Sequence, residues 1–184
     1  MSRLHITVLS LVLLVTCSIS ASDWPAYRHD ARRSATSVDR LEFPLRLSWH
    51  RRSTLAPRPA FNDPLKHPSG IDFAYVRDYS EPVLLDFDRA YHPIAAKGRV
   101  YFGSSADDSI RCLSLANGKE QWAFVTGGPV RFAPQVVGNR LYVASDDGFV
   151  YCLESTNGDL IWKFRAAPSA RQLIGNQRMI SRWP

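Results

Sequence analysis

Along residues 93–164 apolar and polar positions alternate in short runs, and each run stops at a glycine- or asparagine-bearing turn. Alternation with a period of two marks strands that bury one face. The pattern predicts strands at Ile94–Ala96, 100–103, 110–115 and 121–125. A second set is predicted at Gln135–Val137, 141–145, 149–153 and 160–164. Gly98 turns the chain after the first strand, Ala106-Asp107-Asp108 form a polar hairpin tip, and Asp147-Gly148 occupy the matching tip of the second set. Asn117-Gly118 and Asn157-Gly158 precede the last strand of each set. Asn-Gly is expected there as a type I′ turn, which needs positive φ at both central residues.

The two sets are copies of one another. RVYFGSSADDSIRCLSLANGKEQWAF (residues 99–124) is repeated as RLYVASDDGFVYCLESTNGDLIWKF (residues 140–164). Pro93 matches Pro134 and Tyr101 matches Tyr142 at a spacing of 41, whereas Cys112/Cys152, Gly118/Gly158 and Trp122/Trp162 are 40 apart. The change of spacing falls where SSADDSI faces SDDGFV, so the first copy carries one extra residue in its hairpin tip. Repeats of about 40 residues built of four short strands fit the blades of a β-propeller. The expected fold is therefore all-β: a partial β-propeller of two four-stranded antiparallel blades, residues 93–130 and 131–167.

Less regular sequence surrounds the copies. Residues 22–92 are expected to be irregular with edge strands. In that region Leu45, Leu47 and Trp49 alternate with Arg46, Ser48 and His50, which predicts a short strand able to complete a sheet whose other strands lie elsewhere. Four of the chain's 12 prolines fall in residues 56–70 (Pro57, Pro59, Pro64, Pro68), so a loop is expected there. Residues 79–87 read as a short edge strand because of Pro82. Residues 168–184 read as a loop leading into a further, truncated repeat.

The first 21 residues differ in kind. Arg3 precedes an apolar run at residues 6–15, followed by the small residues Ser18, Ser20 and Ala21. That is the anatomy of a signal peptide, and the run is about half the length of a membrane span. Cleavage between Ser20 and Ser22 is expected, placing the mature chain in the periplasm or cell envelope. Leu14-Val15-Thr16-Cys17 loosely resembles a lipoprotein box, which would make Cys17 a lipid anchor and the only membrane attachment.

Composition narrows the functional classes. The net charge of +6 comes from 19 Arg against 4 Lys, scattered from Arg28 to Arg182 rather than gathered on one stripe. That distribution argues against nucleic-acid binding. Export permits disulfides, but Cys112 and Cys152 hold equivalent positions in successive copies. Diverging blades should keep their α-carbons beyond the ~7 Å limit for a bridge, so both are expected as small buried core residues.

The end of each copy resembles the pyrroloquinoline-quinone-type propeller repeat with its tryptophan-docking motif, A-x-D-x-x-T-G-K-x-x-W. Cys112, Ser114, Asn117, Gly118, Lys119 and Trp122 fall on that pattern, as do Cys152, Glu154, Asn157, Gly158, Asp159 and Trp162 with more departures. Thr126-Gly127-Gly128-Pro129-Val130 resembles the linker between blades, and Asp23-Trp24-Pro25 resembles the start of exported bacterial members. The resemblance implies that Trp122 and Trp162, with Gly118 and Gly158, pack one blade on the next, burying a large aromatic area with the indole N–H free to meet a backbone acceptor. Propellers close with about four to eight blades. Two blades imply a fragment of a longer protein, with partners that are either missing blades of its own chain or other proteins.

Chemistry is sparse. Enzymes of the resembled superfamily carry pyrroloquinoline quinone with Ca²⁺, an adjacent Cys-Cys pair and a catalytic Asp, and this sequence has no Cys-Cys. Asp86, Asp88, Asp107, Asp108, Asp146 and Asp147 include close pairs, but two of those pairs sit on hairpin tips, where Asp serves turn geometry. His29, His50, His67 and His92 lack partners at zinc spacing. Tyr91-His92-Pro93 precedes an innermost strand and could approach a propeller axis, although a histidine at a strand entrance is more often only a capped or exposed residue. No catalytic or metal residue is assigned and no cofactor is evident. The expectation is a non-catalytic exported scaffold of the outer-membrane-assembly type. The alternative is the N-terminal part of a quinoprotein dehydrogenase binding pyrroloquinoline quinone and Ca²⁺.

Overall fold

The computed structural model describes residues 22–53, 91–175 and 178–181. The expected leader with Cys17, the proline-rich loop at 56–70, the strand at 79–87, Asp86, Asp88 and His67 lie outside the described residues.

Ten strands follow one another without an intervening helix among the described residues: β1 Ile94–Ala96, β2 Arg99–Ser104, β3 Ser109–Ser114, β4 Glu120–Val125, β5 Gln135–Val137, β6 Arg140–Ala144, β7 Phe149–Glu154, β8 Leu160–Arg165, β9 Gln172–Gly175 and β10 Arg178–Ser181. Strands β1 to β4 form one antiparallel sheet in sequence order, β5 to β8 form a second, and β9 pairs with β10. The eight central strands start and stop within two residues of the positions set by the alternation. They are two blades of a partial propeller.

The repeat is visible rung by rung. Tyr101 pairs with Cys112 and Cys112 with Trp122. Tyr142, Cys152 and Trp162 make the same ladder in the second sheet. Both sheets slip register at one place, after Cys112 and after Cys152. The β2–β3 tip extends from the Ser104–Ser109 rung, whereas Ser145 N–H bonds Phe149 C=O at 3.0 Å to close a tip one residue shorter.

The turns correct one expectation. In Asn117-Gly118 and Asn157-Gly158 only the glycine has positive φ, 68° and 81°. Each asparagine instead accepts a backbone N–H two residues ahead, from Lys119 (3.0 Å) and Asp159 (3.1 Å). Gly118 N–H and Gly158 N–H reach back to Ser114 and Glu154 carbonyls, so these loops are too long for a two-residue type I′ turn. The pattern with two positive φ values occurs at Lys97-Gly98, which joins the Ala96–Arg99 rung.

Two further expectations change. Residues 45–50 take no ladder partner among the described residues, and Leu45 and Leu47 are exposed. Alternation buries a face only when a neighbouring strand is present, and among the described residues none pairs with this segment. Near the C-terminus the expected loop contains the β9–β10 hairpin, Arg178 facing Gly175. Gln172-Leu173-Ile174-Gly175-Asn176 parallels Gln135-Val136-Val137-Gly138-Asn139, the β5–β6 turn sequence, which explains the hairpin.

The core lies between the two sheets. Ile94, Tyr101, Ile110, Cys112, Val130, Val136, Leu141, Val143, Tyr151 and Leu153 form one buried cluster, with Trp122 and Phe124 packed against it. Cys112 and Cys152 are free, buried thiols, and burial pushes the Cys112 thiol up to about 11. The N-terminal segment seals the inner edge of both sheets. Trp24 and Ala95 exchange backbone hydrogen bonds (2.6 and 2.9 Å), and Val136 N–H donates to Pro25 C=O at 2.8 Å.

Candidate inter-sheet site

Gly118 and Gly158 each bring a left-handed turn against an indole. A methyl added at Gly158 would come within 2.6 Å of Trp122 Cε3. Trp122 Nε1 donates to Ser155 C=O at 3.3 Å, three residues before Gly158. The same carbonyl accepts the Tyr101 hydroxyl at 3.1 Å, so two donors of the first sheet converge on one acceptor of the second. Desolvation pushes the buried Tyr101 hydroxyl up to about 12.

The seam before the first sheet has the same geometry. A methyl at Gly118 would come within 2.6 Å of Trp49 Cε3, and Trp49 Nε1 donates to Leu115 C=O at 2.7 Å, again three residues before the glycine. Trp49 therefore occupies the place that Trp122 holds at the next seam. The alternation at 45–50 predicts a strand there but carries no mark of this role for Trp49. Trp162 is different. It is 39% exposed and Phe164 is 65% exposed, and every residue of β8 is exposed. Tyr142 lies 6.0 Å from the Trp162 ring, as Tyr101 lies from Trp122.

Beside the tryptophans the two seams diverge in chemistry. At the first, Glu120 Oε2 accepts from Arg51 Nη2 at 2.7 Å and from Arg111 Nη1 at 2.8 Å. Arg111 also bonds Asp107, and Ser109 Oγ donates to Asp107 at 2.8 Å. Burial works against the Asp107 carboxylate, but bonds from Ser104, Arg111 and Ser109 outweigh it and hold its pKa below the usual value. The bond to Asp107 leads the causes that raise Arg111. At the second seam the equivalent positions hold Phe124 and Tyr151, edge to face at 5.7 Å.

Asp147 organises the linker. Its carboxylate accepts Gly127 N–H at 2.9 Å, Phe149 N–H at 3.0 Å and the Tyr151 hydroxyl. Gly148, at φ 86°, returns its N–H to Ser145 C=O. Burial first, then the bond to Asp147, pushes Tyr151 up to about 12. Asp146 accepts Arg131 Nε at 2.6 Å. These aspartates stabilise turns and ion pairs, and among the described residues no three His, Cys, Asp or Glu side chains converge on a metal-sized site. His92 stands edge-on to Tyr27, and His29 lies tilted against Trp24 with ring centres 4.9 Å apart.

A family model described as outer membrane protein assembly factor BamB matches residues 72–182, more than half of the chain. No curated protein matches it. BamB from Moraxella catarrhalis is 16% identical, with a TM-score of 0.36 over 41% of this chain and 26% of that one. A europium-containing methanol dehydrogenase is 18% identical, TM-score 0.37, over 47% of this chain and 18% of its own. The quinohemoprotein alcohol dehydrogenase ADHIIG from Pseudomonas putida HK5 is 20% identical, TM-score 0.39, over 45% and 14% respectively. The matched part spans about a quarter or less of each of these chains.

Proposed function

We propose, from the premise that this chain belongs to the family of pyrroloquinoline-quinone-like β-propeller repeat proteins matched by the BamB model, that it is a non-catalytic assembly scaffold. In this reading it is exported to the periplasm or cell envelope and binds other proteins. The family match over residues 72–182 carries the reading.

The geometry supports it in a second way. Its tryptophans serve packing: Trp49 and Trp122 each reach a glycine and a carbonyl of the following sheet. We assign that contact as tryptophan docking, with Gly118 and Gly158 as its seats. The outward face of β8 then offers Trp162 and Phe164 to the next blade or to a protein partner.

The test pairs binding with redox activity. The full chain is mixed with an outer-membrane β-barrel protein diluted from urea, and separately supplied with pyrroloquinoline quinone, Ca²⁺ and a dye acceptor. A stable complex without quinone-dependent dye reduction is expected. Dye reduction from alcohols without complex formation would replace the scaffold by the dehydrogenase alternative.

A further inference from the structure

We infer that the cleft between the N-terminal segment and the first sheet is a binding site for small aromatic carboxylates. It is a cavity of about 410 Å³ whose lining includes Trp49, Tyr91 and Phe102 together with Arg51, Arg52 and Arg111. Tyr91 and Phe102 meet edge to face at 5.3 Å. Small-ligand sites characteristically combine apolar walls with a few charged groups that fix orientation.

Charge selects the ligand's head group. Three guanidinium groups line the cleft against one lining carboxylate, Asp107. Glu120, beside it, neutralises part of Arg51 and Arg111, and one positive charge remains. That charge is best assigned to Arg52, an exposed side chain with no hydrogen-bond or ion-pair partner among the described residues. Guanidinium presents its donors in a planar fork that matches a carboxylate.

The repeat supplies the comparison that separates a site from ordinary packing. Where this seam has Arg51 and Arg111, the next has Phe124 and Tyr151 in ring contact. A solution by ring packing, with the Tyr151 hydroxyl bonded to Asp147 and no guanidinium at these positions, is therefore present in the same molecule. The first seam departs from it and keeps aromatic walls beside the added charge. Arg51 and Arg111 are spent on Glu120 and Asp107 in cross-linking the seam, but Arg52 takes no part in that ladder.

The experiment titrates the full chain with 2-naphthoate, its neutral analogue 2-naphthalenemethanol, and octanoate, following heat and tryptophan fluorescence. Naphthoate is expected to bind at submillimolar concentration, at least tenfold tighter than either of the others. Arg52→Gln should weaken naphthoate about tenfold and leave the alcohol unchanged, with an unaltered melting midpoint showing that the fold is intact. Phe102→Ala should weaken naphthoate and the alcohol together. No naphthoate binding, equal affinity for acid and alcohol, or an Arg52→Gln variant that binds as the parent does would overturn the site. Octanoate binding as tightly as naphthoate would overturn the aromatic assignment.

Discussion

The six-membered ring of Trp49 lies so close over Gly118 that a β-carbon there would come within 2.6 Å of it. Trp122 does the same to Gly158 at the same distance. Two segments with little else in common thus make one contact, and the predictions follow from treating it as the joint between successive sheets.

Trp122→Ala is expected to cost about 3 kcal/mol, at the low end for emptying a buried aromatic site because the ring is only partly covered. Trp49→Ala should cost a similar amount, although it lies outside the repeats. Trp162→Ala, on an exposed ring, should cost under about 1 kcal/mol, as surface substitutions do. Urea melts of the full chain measure all three. Equal losses at Trp122 and Trp162 would contradict the assignment.

Gly158→Ala tests the other half of the joint. The left-handed conformation costs an L-residue roughly 1–2 kcal/mol, and the new methyl also collides with Trp122. Gly138→Ala has positive φ but open space, so it should show only the backbone part. A larger loss at Gly158 than at Gly138 in the same melts is the expected result.

Asp147→Ala removes the acceptor of Gly127 N–H, Phe149 N–H and the Tyr151 hydroxyl. Each buried group left unpaired costs about 1–3 kcal/mol, so a loss of at least about 2 kcal/mol is expected. Asn157→Ala, on an exposed loop, should cost well under half as much.

Alkaline pH should loosen the seams. Tyr101 and Tyr151 are raised from 10.0 to about 12 in the folded chain, chiefly by burial. A raised pKa means that the neutral hydroxyl is the form the fold favours. That contribution is complete below pH 10 and is lost as pH rises through about 12. The melting temperature should fall across this window, and Tyr151→Phe should flatten the part due to Tyr151.

Much of the fold was legible because the copies align residue by residue. Tyr101, Cys112 and Trp122 are spaced as Tyr142, Cys152 and Trp162, save for one residue in the tip, and pair in the same ladders. Turn type was less legible. Asn-Gly is compatible with a two-residue turn or with the left-handed end of a longer loop, and only the pairing of Leu113 with Glu120 decides between them. Trp49 was hidden for a related reason. Its sequence shows the alternation of an outer strand, but no second copy of the repeat lies beside it in the sequence to mark its role. Its seat, Gly118, is 69 residues away. The Arg51–Glu120–Arg111 ladder is equally non-local. The β9–β10 hairpin was readable in QLIGN set against QVVGN, once the comparison is shifted off the 40-residue spacing.

Hydrogen exchange of the indole N–H groups, resolved by ¹⁵N correlation spectra and assigned by single substitutions, tests the equivalence of the two seams most directly. Trp49 and Trp122 donate to Leu115 and Ser155 carbonyls, so both should exchange slowly and at similar rates, while Trp162 should exchange much faster. If Trp49 exchanged as fast as Trp162, the equivalence of the two seams would be wrong.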